Sequence, residues 1–171
     1  MLGGPRHVSV TRENRIESVV LRAAHDGYAD ACGIVHERTI TLAVDGTRLE
    51  GEDVFLSADG GEQVRTTRDQ YAVRFHLHPF IKPTLLTEGH GVVLVAPNNE
   101  VWTFNAPEER VELEDSVYLS GTDGPRRTVQ MVIYGHARRM PRVVWSFQQT
   151  DPSAVEAAAR RVRGEQPKLT S

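Results

Sequence analysis

Residues 71–79, YAVRFHLHP, alternate strictly between two kinds of side chain. Every second residue is apolar or aromatic, and the residues between them include Arg74, His76 and His78. Successive side chains of a β-strand point to opposite faces, so the apolar side predicts burial against a core. The other face carries a cation and two imidazoles at a spacing of about 6.5–7 Å. Pro79 ends the strand because proline cannot donate a hydrogen bond to a sheet ladder.

Short alternating segments of this kind recur along the chain, separated by turn residues. Asp45 and Gly46 predict a two-residue hairpin turn of type I′, because Asp-Gly suits its positive φ angles. Gly51 lies inside a strand pattern, which indicates a bulge or the close approach of another backbone. Residues 25–28 predict a turn, residues 58–70 a loop and residues 81–88 a crossing segment. The other strands are predicted at residues 7–11, 16–24, 33–43, 48–57, 90–96, 101–105, 110–115, 117–119, 126–134 and 142–148.

About ten short strands at regular spacing are typical of an antiparallel sandwich or barrel. We predict an all-β fold, an antiparallel β-sandwich of jelly-roll type with two packed sheets. One short helix is expected near the end, where Asp151 is a good N-cap, Pro152 suits the first helical position and Gly164 suits the C-cap. The predicted organisation is a β-sandwich over residues 1–150, then a helix and polar tail over residues 151–171.

The composition excludes several classes of protein. The 171 residues can bury a core without a disulfide or a metal, and a single cysteine, Cys32, excludes an internal disulfide. Lys and Arg total 20 and Asp and Glu total 23, and the formal net charge of −3 gives no support for nucleic-acid binding. No apolar run reaches the roughly 20 residues that span a membrane, and no signal-peptide core precedes the first strand. The sequence as written predicts a cytoplasmic chain without a membrane partner.

Several polar residues of the predicted strands are candidates for binding an acidic glycan. Arginine binds carboxylate and sulfate oxygens in a bidentate geometry, and tyrosine and tryptophan stack on sugar rings. We expect the candidates on the strands to form a concave polar patch on one sheet. The loop at 25–28 would add His25 and Asp26 to it. The alternative is that the arginines pair locally with strand carboxylates and that the loop is only solvated. The candidates are His25, Asp26, His36, Arg38, Arg74, His76 and His78.

His76 and His78 are also candidates for a divalent metal site, because two histidines on one strand face can bind a single ion. A third ligand would come from a neighbouring strand, with His36, His25 and Asp26 as candidates. The alternative is that both histidines are structural or surface groups. No Gly-x-Ser-x-Gly nucleophile motif is present, and Cys32 lies in an apolar setting typical of a core. A small metal-dependent enzyme of jelly-roll type is therefore the alternative function.

Several linked motifs occur in an order that resembles the C-terminal region of bacterial heparinase II/III-like proteins, over residues 25–147. Several motifs in order are more specific than any one of them. They are HDGY (25–28), GIVHER (33–38), LEGED (49–53), YAVRFHLHP (71–79), WTF (102–104), EDSVY (114–118) and RRTVQ (126–130).

The resemblance implies an origin among polysaccharide lyases, which cleave uronic-acid-containing glycans such as glycosaminoglycans by β-elimination. In that family the catalytic groups lie mostly in an N-terminal helical toroid and in a histidine-rich segment at the start of the sandwich. Neither has a counterpart here, so the resemblance assigns no catalytic residue. It implies a truncated or accessory domain that binds an acidic polysaccharide and is not active alone. The resemblance also suggests a catalytic toroid on a separate chain, and a periplasmic or cell-envelope location.

Overall fold

The structure, a computed structural model, describes residues 4–119 and 124–151. Within these residues the chain forms eleven strands and one short helix, α1 (Ala29–Cys32). The strands are β1 (Val8–Asn14), β2 (Ser18–Tyr28), β3 (Ile34–Ala43), β4 (Arg48–Ser57), β5 (Gln70–His76), β6 (Lys82–Leu85), β7 (Gly91–Val95), β8 (Val101–Asn105), β9 (Glu112–Leu119), β10 (Pro125–His136) and β11 (Arg142–Thr150).

The strands form two sheets. The large sheet has eight strands in the order β1-β2-β3-β4-β11-β8-β7-β6, and the small sheet has three in the order β5-β10-β9. Neighbouring strands pair antiparallel in both sheets. The predicted all-β antiparallel sandwich is confirmed. The predicted terminal helix lies outside the described residues.

The core lies between the small sheet and the middle of the large one. Phe104, Val92 and Val143 of the large sheet are fully or almost fully buried, as are Met131 and Ile133 of β10. Full burial of a side chain of this size stabilises the fold by roughly 1.5–3 kcal/mol. These five residues therefore hold the two sheets together.

The alternation of residues 71–78 is confirmed. Val73 and Leu77 are buried, while Arg74 and His76 are exposed on the other side of β5. Phe75 points inward, and its ring centroid lies 4.8 Å from that of Trp145. Strand β5 therefore joins the core to the outer face of the small sheet.

The small sheet covers only part of the large one. Val8 and Val10 of β1 face the same side of the large sheet as the core residues of β4. The register shows this, because Val8 is followed across the sheet by His25 and His36, and Val10 by Ala23 and Arg38. Both valines are about two-thirds exposed, at 63% and 60%. The inner face of β1 to β3 thus extends beyond the small sheet, and a step forms where the small sheet ends.

Four local predictions were wrong. The turn at Asp45 and Gly46 is not of type I′, because that type needs a positive φ at both residues and Gly46 has one, of 73°, whereas Asp45 does not. Residues 25–28 do not form a turn: strand β2 continues through them, with a break in register between His25 and Tyr28 that marks a β-bulge. The segment 81–88 contains an edge strand, β6, in which Pro83 is tolerated because an edge need not donate on both sides. The two strands predicted at 110–115 and 117–119 form one strand, β9.

Candidate functional site

A cleft of about 450 Å³ lies at the step where the small sheet ends. Strands β2, β3 and β4 form one wall, and the start of β5 with Arg68, two residues before it, forms the other. His25, His36 and Arg38 line the first wall, and Tyr71 and Arg68 line the second. Two histidines and three arginines, the third being Arg74 of β5, therefore line one concave site.

Asp53 is the buried anchor of the first wall. Its carboxylate has no solvent exposure and accepts hydrogen bonds from Arg38 Nε at 2.7 Å, Arg38 Nη2 at 3.0 Å and Trp145 Nε1 at 2.8 Å. His36 Nε2 lies 2.7 Å from Oδ1, the oxygen that also accepts from Arg38 Nε. Burial raises the pKa of Asp53, but the bonds from His36, Arg38 and Trp145 outweigh it and hold the pKa below its usual value. The carboxylate therefore stays ionised and neutralises Arg38.

The two histidines continue this hydrogen-bonded chain toward the mouth of the cleft. An ionised carboxylate only accepts, so His36 Nε2 carries a proton and donates it to Asp53. His36 Nδ1 lies 3.3 Å from His25 Nε2. At the other end, His25 Nδ1 accepts the Gly27 backbone N–H at 3.2 Å. In the neutral form of His25 the Gly27 contact places the ring proton on Nε2, from which it donates to His36 Nδ1.

An aromatic ladder crosses the cleft from one sheet to the other. The ring centroids of Tyr28 and His25 lie 5.2 Å apart, those of His25 and His36 5.3 Å, and those of His36 and Phe55 5.4 Å. Phe55 stacks on Tyr71 of the small sheet at 4.2 Å. Because ring faces stack on sugar rings as well as on each other, the ladder gives the cleft a surface suited to a saccharide.

Tyr71 ends the ladder with an unusual hydroxyl group. Its Oη is buried and finds no hydrogen-bond partner among the described residues. Burial, and then the carboxylates of Glu109 and Asp53, raises the pKa of Tyr71 to about 12. A side chain on Gly135 would collide with this oxygen, since an added Cβ would lie 2.2 Å away. The hydroxyl is therefore protonated at neutral pH and held rigidly by the neighbouring strand.

The cleft has more cationic than anionic side chains. Asp53 is the one carboxylate among the described residues that line it, whereas Arg38, Arg68 and Arg74 all contribute to the lining. Asp53 and Arg38 neutralise each other, and the guanidinium of Arg74 is bound elsewhere. Arg68 is exposed, and within the part of the chain that the structure describes its guanidinium donates one long bond, of 3.4 Å, to the Ala31 carbonyl. Arg68 therefore provides the main fixed positive charge for an anionic ligand.

A second polar cluster lies on the outer face of the small sheet. Glu114 of β9 accepts bonds from Arg74 Nη1 at 2.9 Å, Gln130 Nε2 at 3.1 Å and the Tyr134 hydroxyl at 2.5 Å. Hydrogen bonds from Tyr134, Arg74 and Gln130 lower the pKa of Glu114. His76 lies beside this network, with Nδ1 2.8 Å from Ser116 Oγ. The polar groups of this cluster mostly satisfy one another.

The seven predicted glycan-binding residues thus divide into separate groups. The prediction of one patch on one sheet is wrong: His36 and Arg38 lie on the large sheet, and Arg74 and His76 on the small one. The alternation of each strand was interpreted correctly, but alternation does not tell which strands share a sheet. The structure brings His25, His36 and Arg38 together in the cleft, and Arg74 of β5 also contributes to its lining.

Asp26 and His78 lie outside both clusters. Asp26 accepts the backbone N–H groups of His7 and Arg6 and lies 2.9 Å from His7 Nδ1. The bonds from the His7 backbone and ring come first among the causes that lower the pKa of Asp26 to about 2. The carboxylate therefore ties the start of the chain to the β2 bulge. The His78 ring packs at 4.9 Å from Tyr118, beyond the end of β5.

The predicted metal ligands are not gathered by the fold. Among residues 4–119 and 124–151, no group of three or more His, Cys, Asp or Glu side chains is arranged to hold a metal ion. The suggested third ligands, His25, His36 and Asp26, belong to the large sheet, whereas His76 belongs to β5 of the small sheet.

Sequence reasoning missed Asp53 as the organising residue of the cleft. It considered the strand carboxylates only as possible local partners for the arginines. The hairpin turn at Asp45 and Gly46 contained the missing signal, since its position sets the pairing of Arg38 with Asp53. Arg68 and Tyr71 were missed for another reason, because nothing local shows that the small sheet ends beside β3.

The matching family model is described as heparinase II/III-like, C-terminal, and it covers residues 3–146. The chain belongs to this family. Its sandwich is similar to that of heparan sulfate lyase HepC from Pedobacter heparinus, with a TM-score of 0.67 at 10% identity over 84% of this chain and 22% of the lyase. A heparinase III, the BT4657 gene product, gives a TM-score of 0.66 at 10% identity over 86% of this chain and 22% of the heparinase chain.

The heparinase II/III-like domain also has a curated relative that is not named as a lyase. FtsZ-localized protein C from Caulobacter vibrioides is 29% identical over 123 residues, which cover 70% of this chain and 21% of that protein. The chain therefore spans about a fifth of the length of this relative and of the lyases. Within the described residues, no helix is long and apolar enough to cross a membrane.

Proposed function

We propose that this heparinase II/III-like domain is an accessory domain that binds an acidic polysaccharide in the cleft between its two sheets. The observation that carries the proposal is the lining of the cleft. An exposed arginine, two histidines and an aromatic ladder meet there, and the one carboxylate among the described lining residues is fully buried and bonded. Arg68 would bind a uronate or sulfate group, and Tyr28 would stack on a sugar ring.

The direct test is a titration of the chain with a heparin oligosaccharide, an oligogalacturonate and neutral dextran. We expect binding to the acidic glycans and none to dextran. Changing Arg68 to Gln removes the exposed charge of the cleft and should weaken binding about tenfold to a hundredfold, the size of one charge-assisted hydrogen bond. Arg139→Gln, at an exposed arginine outside the cleft lining, is the matched control. Equal losses in both variants would show non-specific attraction and contradict the proposal.

We further propose that the domain does not cleave glycans alone and works with a catalytic domain, here or on another chain. The family resemblance supports this, since no catalytic residue is carried over. β-Elimination leaves an unsaturated uronate that absorbs ultraviolet light. We expect no increase in absorbance with any acidic polysaccharide, although binding is detectable. An increase that is absent from a sample without protein would overturn the accessory role.

A second candidate function is supported by the match to FtsZ-localized protein C. The identity to this relative is 29%, against 10% to the lyases of similar fold. The domain would then localise with FtsZ rather than bind a glycan. Co-sedimentation with assembled FtsZ tests this role. Recovery of the chain in the FtsZ pellet, with no glycan binding, would favour this candidate over the first.

A further inference from the structure

We propose that His25 binds the anionic group of the saccharide, as an imidazolium that forms when the ligand arrives. This inference rests on the proposed function of the cleft. It names the ligand chemistry as a carboxylate or sulfate oxygen, and it adds proton uptake to the binding step. Three contacts carry the argument: those of Asp53 with His36, His36 with His25, and His25 with Gly27.

The chain of contacts determines where a proton can enter. His36 is bonded at both nitrogens, to Asp53 at 2.7 Å and to His25 at 3.3 Å, so a further proton on its Nδ1 would face the N–H of His25. His25 has only the 3.2 Å contact with the Gly27 N–H at its Nδ1. A proton on that atom breaks this one weak contact and leaves His25 donating to His36. His25 is therefore the better site for the added proton.

The same geometry explains why the proton needs a ligand. A protonated Nδ1 would point its N–H at the N–H of Gly27, so this N–H needs an acceptor in place of that contact. An anionic oxygen in the cleft supplies one. Burial, and then the proximity of His36, lowers the pKa of His25 in the free protein. The free cleft is thus neutral at His25, and the bound anion draws a proton from solvent onto the ring.

The charged groups around His25 support this assignment. On the side of β3, His25 faces His36, and Arg38 lies beyond His36. On the side of β4, the series of hydrogen-bonded side chains ends at the ionised Asp53. Arg68 and Tyr71 face it across the cleft. Tyr28 packs on the ring from its own strand.

One neighbouring carboxylate favours the charged ring. Asp26 is adjacent in β2 and tends to raise the pKa of His25, but it is held by Arg6 and His7 on the segment that leads into β1. Burial and the proximity of His36 lower the pKa of His25 by more than Asp26 raises it. An anion bound beside Arg68 would add a second negative charge at the ring and reverse the balance.

The experiment is calorimetric titration of the whole chain in two buffers that differ in ionisation enthalpy, which counts protons taken up on binding. The probes are a heparin oligosaccharide, which carries sulfate and carboxylate, and an oligogalacturonate, which carries carboxylate alone. We expect uptake approaching one proton near neutral pH. Affinity should rise with falling pH by at most about tenfold per unit. Uptake with both probes assigns the carboxylate as sufficient, and uptake with heparin alone assigns the sulfate.

His25→Gln keeps an amide that can donate to His36 but does not titrate, so it should bind with little or no proton uptake. His25→Asn provides a second variant, and thermal unfolding identifies any variant that fails to fold. His76→Gln, on the outer face of the small sheet, should behave as the wild type. Binding without proton uptake in the wild type, or unchanged uptake in the His25 variants, would overturn this inference and leave the proposed function standing. Absence of binding at every pH would overturn both.

Discussion

At the scale of single residues, Asp53 has the strongest influence on the cleft. Its carboxylate holds a guanidinium, an imidazole and an indole N–H in place at once. A buried charge of this kind is stable only while its partners remain, because removing one partner leaves the others uncompensated. Arg38 therefore has a structural role, and the residues beyond it, His25 and Arg68, are left for ligand binding.

Asp53→Asn should lower the free energy of unfolding by about 3 kcal/mol at neutral pH, because Arg38 loses a buried charged partner. The folded-state pKa of Asp53 is lowered, so its stabilisation is present above the ordinary carboxyl pKa and is lost as the pH falls through the lowered value. The difference between variant and wild type should therefore shrink in acid. Urea unfolding at several pH values measures it.

Glu62→Gln, at an exposed carboxylate in the loop before β5, is the control and should change stability little at any pH. A difference between Asp53→Asn and wild type that stays constant from neutral pH into acid would contradict the role of the charge.

At the scale of elements, strand faces could be predicted from sequence because alternation reports directly which side is buried. The alternation from Val73 to Leu77 is an example. Residues 25–28 could not be predicted, since Asp-Gly favours a turn locally, whereas pairing with β3 keeps the chain extended through a bulge. The cleft could not be predicted from the sequence for a related reason. It depends on which strands share a sheet, and β11 separates β4 from β8 although it follows both of them in the sequence.

The pairing of β4 with β11 depends on Gly51. An added Cβ would lie 2.1 Å from the indole ring of Trp145, far below contact distance. Gly51→Ala should therefore lower the free energy of unfolding by about 2 kcal/mol or more, as expected for overpacking of a core. Denaturant unfolding measures the loss.

Trp145→Leu in the same chain should make the Gly51→Ala change less harmful, because the two residues share one space and their effects are not additive. Gly4→Ala, where an added Cβ meets nothing within 4 Å, should be neutral. Strict additivity of Gly51→Ala and Trp145→Leu would show that the ring does not lie over the glycine.

At the scale of the whole molecule, the unequal sheets divide the large sheet into a covered and an open part. Val92 in β7 is fully buried under the small sheet, whereas Val10 in β1 shows 60% of its surface although it faces the same side. The open part ends at the cleft. A ligand that enters the cleft therefore meets an apolar floor on one side and the cationic wall on the other.

Replacing each of these valines by threonine tests the division with nearly equal side-chain shapes. Val92→Thr should lower the free energy of unfolding by about 2 kcal/mol, because its hydroxyl would be buried in an apolar core. Val10→Thr should change it by less than about 0.5 kcal/mol. Chemical denaturation of both variants provides the comparison, and equal losses would mean that β1 is covered in solution.

The position of β11 has a consequence for the order of folding. Strands β1 to β4 form a run of sequential hairpins, and so do β6 to β8, but neither run borders the other without β11 between them. During synthesis the strands of each run can pair with one another as they leave the ribosome. Each run then keeps one unpaired edge until β11 is available to pair with it. The long-range pairings of β11 to β4 and β8 are the slow kind of contact. Before residues 142–150 have left the ribosome, the nascent chain therefore contains two separate half-sheets. Pairing of β11 with both then joins them into one sheet.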